Sequence, residues 1–256
     1  MEKIDFGIVV IALNGEIRNS HQINLKFLSK FSKFEILESI TPFDLGCNSQ
    51  LKNHYHSRDL TCVERAASVS HQVARNIAST FDTDWVIIME DDAIIGKNFF
   101  TFLFEIATTK FFQIQKPIGF HLFPEQFGVL KTISTNVAKV YLIPDYAVAY
   151  ALNKQALKFS MGSSDQCSRF LADWPKFLKS INWFAPLQST VFHPEMSSKF
   201  DLNSSIQLSR NNRLSQLNRF SIYDKFKRLI LIVSALFLRD LGTAKISSPK
   251  LRSKYL

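Results

Sequence analysis

Two runs of this chain, Phe6-Gly-Ile-Val-Val-Ile-Ala-Leu13 and Trp85-Val-Ile-Ile-Met89, are apolar from end to end. A strand with one face in water alternates apolar and polar residues. A strand covered on both faces does not need to, and that condition belongs mainly to parallel sheets clad by helices. Between the two runs lie a helix-spaced segment, Ser20–Phe31 (apolar at Ile23, Phe27, Leu28 and Phe31), a second strand, Phe34–Ile40, and a helix from about Cys62 to Phe81. Thr61 and Glu64 sit three residues apart at the start of that helix, the spacing of a capping box. Alternating strand and helix predict an α/β domain with a mostly parallel central sheet flanked by helices.

Further along, Asn98–Thr109, Asn153–Met161 and Cys167–Ser180 read as helices, Gly119–Leu122 and Val137–Ile143 as strands, and Asn182–Phe192 as extended. Phe43–Asp59 and Ser197–Leu217 are polar and read as loops. With 256 residues, 46% of them hydrophobic, the chain has enough apolar material for one large core. We divide it into a catalytic domain, 1–198, and a basic C-terminal extension with an apolar helix, 199–256.

Glu90, Asp91 and Asp92 follow the second apolar run directly. Adjacent carboxylates repel and are costly to desolvate. Two readings fit: a solvated turn, where Asp pairs are common, or a cation site. In parallel sheets ligands bind beyond the carboxyl ends of strands, and this triplet occupies such an end. Carboxylate oxygens are hard ligands suited to Mg²⁺ or Mn²⁺, and an ion so held can also hold a diphosphate. Neither GxGxxG nor GxxxxGK[ST] occurs, and with 8 glycines the chain is poor in the residue that builds glycine-rich phosphate loops.

The residues around the triplet are more specific. Leu60, Thr61 and Glu64, then Ser70-His71 on the helix, then the apolar strand and Glu90-Asp91-Asp92, resemble the pattern of the family 25 glycosyltransferases. These are the lipopolysaccharide and lipooligosaccharide enzymes, related to the collagen galactosyltransferases. Val10–Leu13 followed by Arg18 is similar to the family's opening strand and arginine, Tyr150–Ala156 to a later strand-to-helix segment, and Ala172-Asp173-Trp174 to its downstream aspartate. The resemblance covers roughly Ile8 to Ile206. Ala66-Ala67 stands where the family usually has Gly-Cys, which puts the packing at the nucleotide in question.

The resemblance implies a GT-A-like fold, a UDP-galactose or UDP-glucose donor, a glycan or lipid-linked acceptor, and inversion at the anomeric carbon. On this resemblance Asp92 and Asp91 are the candidates for the metal, Mn²⁺ or Mg²⁺, and His193 is either a late ligand or an ordinary loop histidine beside Pro194. Arg18, Ser70, His71, Glu90 and Asp91 fall on the donor side. Asp173 is the first candidate for the general base that inversion needs; capping a helix near Pro175 or binding the acceptor are its equal alternatives. His71 is either a donor contact or a residue that fixes the acidic loop. His54, His56 and Arg58 belong to substrate binding or to a solvated loop.

Charge is concentrated at the end of the chain. Twelve Lys and Arg against three Asp lie between Lys199 and Leu256, so that stretch carries the whole formal charge of +9. Residues 223–239 join a basic segment to the apolar run Leu229–Leu238, about half a membrane span. An anionic membrane surface, the catalytic domain or a partner helix are its possible docks, and flanking basic residues favour the membrane. A nucleic-acid partner has charge alone in its favour, without aromatic side chains interleaved for stacking. A degenerate transferase-like scaffold without catalysis is the other alternative. Three cysteines without CxxC spacing, and no leader-like start, fit a cytoplasmic protein, peripheral at the inner face of the membrane.

Overall fold

The computed structural model describes residues 4–13, 23–46, 62–109, 112, 116–123, 129–140, 147–161, 181–192 and 244–246. Strand β1 (Ile4–Ala12) lies between β2 (Phe31–Glu38) and β3 (Trp85–Glu90), parallel to both, with Val10 level with Ile36 on one side and Met89 on the other. Helix α2 (Cys62–Ala78) lies between β2 and β3 in the chain. The unbroken apolar runs are explained by what covers them. Ile8 and Val10 of β1, with Ile87 and Met89 of β3, enter one core layer; Val9, Ile11, Val86 and Ile88 enter the other. Period-two alternation thus sends successive side chains to opposite faces, and both faces are dry.

The remaining elements are α1 (Leu25–Leu28), β4 (Ile94–Ile95), α3 (Phe99–Thr108), β5 (Ile118–His121), β6 (Val129–Thr132), β7 (Val137–Val140), β8 (Ala149–Asn153), α4 (Lys154–Met161), β9 (Asn182–Pro186), β10 (Val191–Phe192) and β11 (Ala244–Ile246). Nine strands form the central sheet in the order β11-β6-β7-β9-β5-β8-β3-β1-β2, and β4 and β10 form a small second sheet. Strands β1, β2, β3, β5, β6 and β9 run one way, and β7, β8 and β11 run against them. The sheet is therefore mostly parallel in direction, as the alternation predicts, with antiparallel strands inserted. Edge strand β11 comes from the basic C-terminal segment, whose other residues lie outside the described set.

Helix α3 supplies Phe99, Phe102, Leu103 and Ile106 to the first layer, and α2 and α4 supply Ala74, Ala78, Ala156 and Leu157 to the second. Most of the buried phenylalanines among the described residues lie in the first layer, with Phe81 in the second. The ring of Phe120 lies 5.5 Å from Trp85, 5.7 Å from Phe102, 4.9 Å from Phe112 and 5.7 Å from Phe184, centroid to centroid. Edge-to-face and tilted pairs of this kind add to the area each ring buries.

Three expectations need adjusting. The helical spacing ending at Phe31 holds only for the single turn Leu25–Leu28, opened by the Asn24 side chain accepting from the Phe27 amide. Phe31 instead begins β2 and packs 5.4 Å from Phe27, because a buried slot exists for it on the strand. The extended stretch Asn182–Phe192 is two strands in two sheets, β9 and β10. Cys62 is disulfide-bonded, which counts against reading the cysteines as those of a reducing compartment. Among the described residues, no helix is long and apolar enough to cross a membrane.

Candidate functional site

Strand β3 delivers the three acids to the rim of the sheet. Its alternation puts Val86 and Ile88 on the face covered by α2, and Glu90 has the same parity. Glu90 is half-buried, and its amide donates to the Val148 carbonyl at 2.9 Å. Asp91 is buried, and its amide donates 3.0 Å to the carbonyl of Ile11 at the end of β1. The Ala93 amide closes the turn onto the Glu90 carbonyl at 3.2 Å. The triplet is therefore pinned to the carboxyl end of the neighbouring parallel strand. A solvated turn would leave Asp91 exposed, and it is only 5% exposed.

After the turn, β4 pairs with β10, Ile94 opposite Phe192. Gly96 allows this approach: its amide donates to the Thr190 carbonyl at 2.9 Å, and a Cβ there would meet that carbonyl and the Phe192 ring, each at 3.0 Å. Phe192 directly precedes His193 in sequence, and its partner Ile94 stands two residues after Asp92, so β10 brings the chain back beside the acidic turn before the described segment ends.

Helix α2 covers the acids from one side. Its buried positions Ala66, Ser70, Ala74 and Ala78 recur every fourth residue and are small, which seats the helix closely on the sheet. The Ser70 hydroxyl donates to the Ala66 carbonyl at 3.0 Å and accepts from the Ile40 amide at 2.8 Å. It ties α2 to the segment after β2. Ala66, where the family pattern would put a glycine, is buried in this ridge.

Beside that ridge stand His71 and Arg75, each 1% exposed. His71 Nε2 lies 3.4 Å from Glu90 Oε1, and its Nδ1 lies 3.3 Å from the hydroxyl of Tyr150 on β8. Arg75 Nη1 donates to the same hydroxyl at 3.2 Å. Tyr150 is fully buried, level with Ile88 of β3 and with the buried His121 of β5. A polar layer thus runs from the helix through the sheet's second face to the acidic rim. Buried charge and hydroxyls are tolerated only with such partners.

The structure joins Ser70, His71, Glu90, Asp91 and Asp92 in one region. Arg18, His54, His56, Arg58, Thr61, Asp173, His193 and the segment 223–239 lie outside the described residues. Sequence reasoning missed Arg75 and Tyr150. The available signal was spacing: Arg75 is four residues after His71, one helical turn along the same face. Tyr150 is the one large polar-tipped side chain between Ala149 and Ala151.

Among the described residues, no group of three His, Cys, Asp or Glu is placed to hold a metal ion. Asp91 and Asp92 nonetheless suit one kind of ion. Mg²⁺ is commonly held by one or two carboxylates, the rest of its shell coming from water and substrate phosphates.

A sequence model of glycosyltransferase family 25 (LPS biosynthesis protein) matches residues 5–140, from β1 through β7, including the acids and α2. No curated protein matches. Among solved structures, the inositol-1-phosphate CTP transferase from T. maritima aligns with a TM-score of 0.36 at 13% identity, over 82% of this chain and 96% of that one. The mannose-1-phosphate geranyltransferase from Thermus thermophilus aligns with a TM-score of 0.34 at 10% identity, over 71% and 73%.

Proposed function

From the premise that the chain belongs to glycosyltransferase family 25 (LPS biosynthesis protein) and is a glycosyltransferase, we propose that it transfers galactose or glucose from a UDP-sugar, with inversion, to a lipopolysaccharide or other surface-glycan acceptor. The observation that carries this reading is the acidic turn at the carboxyl end of β3, with the buried Asp91 tethered to Ile11 of β1. Two adjacent parallel strands end there, the place where such sheets receive nucleotides.

In this reading Asp92 and Asp91 hold Mn²⁺ or Mg²⁺, with His193 as a further ligand. When bound, the ion supplies charge neutralisation for the departing diphosphate. Arg18 contributes charge-assisted hydrogen bonds to the same phosphates. Ser70 and His71 support the donor side from α2, and Glu90 lines it. Asp173 accepts the proton of the acceptor hydroxyl as that oxygen bonds to the anomeric carbon and the bond to diphosphate breaks on the opposite face. The basic, apolar segment 223–239 would hold the enzyme at an anionic inner membrane surface, where a lipid-linked acceptor is presented.

The test is sugar transfer from UDP-galactose and UDP-glucose with Mn²⁺, Mg²⁺ or a chelator. Metal-dependent turnover is expected. Asp92→Asn should lower it about a hundredfold or more, since several kcal/mol of transition-state stabilisation passes through the ion. Its circular dichroism should match the parent protein. Undiminished turnover in that variant would exclude the site, and a folded parent protein that turns over no nucleotide sugar would favour the scaffold reading.

A further inference from the structure

We propose that Arg75 and Tyr150 are positioning residues of the transfer site. They form a one-way donor chain that fixes the tautomer of His71 and, through it, the orientation of Glu90. The inference deepens the reading above and rests on it for the identity of what Glu90 faces.

The direction follows from an asymmetry of side-chain chemistry. Arginine has five N–H donors and no acceptor. Its 3.2 Å contact from Nη1 therefore makes the Tyr150 oxygen an acceptor. In the proposed chain the phenolic hydrogen goes to His71 Nδ1, 3.3 Å away. A ring nitrogen that accepts carries no hydrogen, so in the neutral ring the hydrogen resides on Nε2. That nitrogen faces Glu90 Oε1 at 3.4 Å and donates to it. Direction is thus imposed at the buried end and read out at the rim.

Burial makes the imposed direction effective. Arg75 and His71 are each 1% exposed and Tyr150 is 0% exposed, so water does not freely exchange for the protein partners. Glu90 is the member that reaches solvent, with 28% of its side chain exposed. The chain crosses three elements, α2, β8 and β3, and a shift in any one of them reaches the carboxylate. Hydrogen-bond partners of metal ligands typically matter by about ten- to a hundredfold, and Tyr150 and Arg75, which act on Glu90 through His71, are expected at the low end of that range.

The experiment is two-bond ¹H–¹⁵N correlation NMR of the imidazole nitrogens in the full chain, with His71→Gln to assign the resonance. It is run on the parent protein, Tyr150→Phe and Arg75→Met, alongside kcat and KM for transfer and melting curves. The parent protein should show His71 with hydrogen on Nε2. Both variants should populate the two tautomers, with kcat down about tenfold or more and acceptor KM unchanged. Hydrogen on Nδ1 in the parent, or variants with parental tautomer and turnover, would overturn the proposal. If Tyr150→Phe does not fold, the parent spectrum and Arg75→Met still decide. If the spectra behave as stated while the parent transfers no sugar, the donor chain stands and the glycosyl-transfer reading fails.

Discussion

His71 Nε2 and Glu90 Oε1 lie 3.4 Å apart, and they join helix α2 to the last residue of strand β3. The contact links a buried residue to a half-exposed one. It makes the acidic turn part of the core's polar layer and not an appendage on the surface. Consequences for binding and for stability follow from how the surrounding side chains are arranged.

The first concerns ligand linkage. UDP together with Mn²⁺ should raise the melting temperature, because a ligand at about a hundred times its dissociation constant adds roughly 2.7 kcal/mol. For a chain of this size that is roughly 5–10 °C. On the proposed reading UDP or metal alone should do much less, because the two carboxylates and the diphosphate would share one ion. Asp92→Asn should abolish the synergistic shift. Scanning fluorimetry over a ligand matrix checks it, and an equal shift in the variant would place the nucleotide elsewhere.

The second concerns the aromatic core. Phe120 is fully buried among Trp85, Phe102, Phe112 and Phe184. Phe120→Ala should cost about 3–5 kcal/mol, the transfer term plus a cavity that the surrounding rings fill poorly. Phe104→Ala is the control. That ring is 68% exposed on α3, and its loss should stay within about 0.5 kcal/mol. Urea unfolding of the two variants measures both, and similar midpoints would refute the packing described.

The third concerns Gly119 on β5. A Cβ there would meet the Trp183 ring at 2.6, 2.8 and 2.9 Å. Trp183 is buried and packs edge-on to Tyr150 with centroids 6.3 Å apart, so the indole has little room to retreat. Gly119→Ala should destabilise the fold by about 1–3 kcal/mol through overpacking. Because the displaced indole presses on Tyr150, sugar transfer should fall as well. A variant with parental stability would mean that the ring swings aside.

The fourth concerns pH. The Asp44 carboxylate accepts from the Thr41 hydroxyl and amide, each at 2.7 Å, and these bonds hold its pKa below the ordinary value. A depressed folded-state pKa means that its contribution is present above the unfolded pKa and lost as pH falls through the folded one. Asp44 is fully exposed, so the effect on global stability is slight, and the local titration is the measurement. Carboxyl NMR should show Asp44 titrating below a free aspartate, and Thr41→Val should move it upward. No movement would mean that the hydroxyl bond contributes nothing.

Much of the fold was legible because it follows from local pattern. The runs Phe6–Leu13 and Trp85–Met89 had to be covered on both faces, and β1 and β3 are. The strand-to-helix segment at Tyr150–Ala156 also has a local cause: Asn153 Oδ1 accepts from the Ala156 amide at 2.9 Å, starting α4, and from the Ile118 amide at 3.1 Å, fixing β5 beside it. Helix α1 was overextended because periodicity does not reveal where a turn will cut a helix short. Strands β4, β6 and β11 were missed, since each is defined by its partner strand and not by a local apolar run of its own.

Sequence by itself determined the alternation of strand and helix, the acids at the end of β3, and the Ser70-His71 pair on α2, because side-chain period and motif spacing are properties of a few consecutive residues. Tertiary structure alone decided that Glu90 meets His71, that Tyr150 stands behind it, and that Arg75 is buried with them. Those contacts join residues 19 to 79 positions apart. The two made by Tyr150 exist only once β8 has been laid antiparallel between β3 and β5, a pairing that no local pattern specifies.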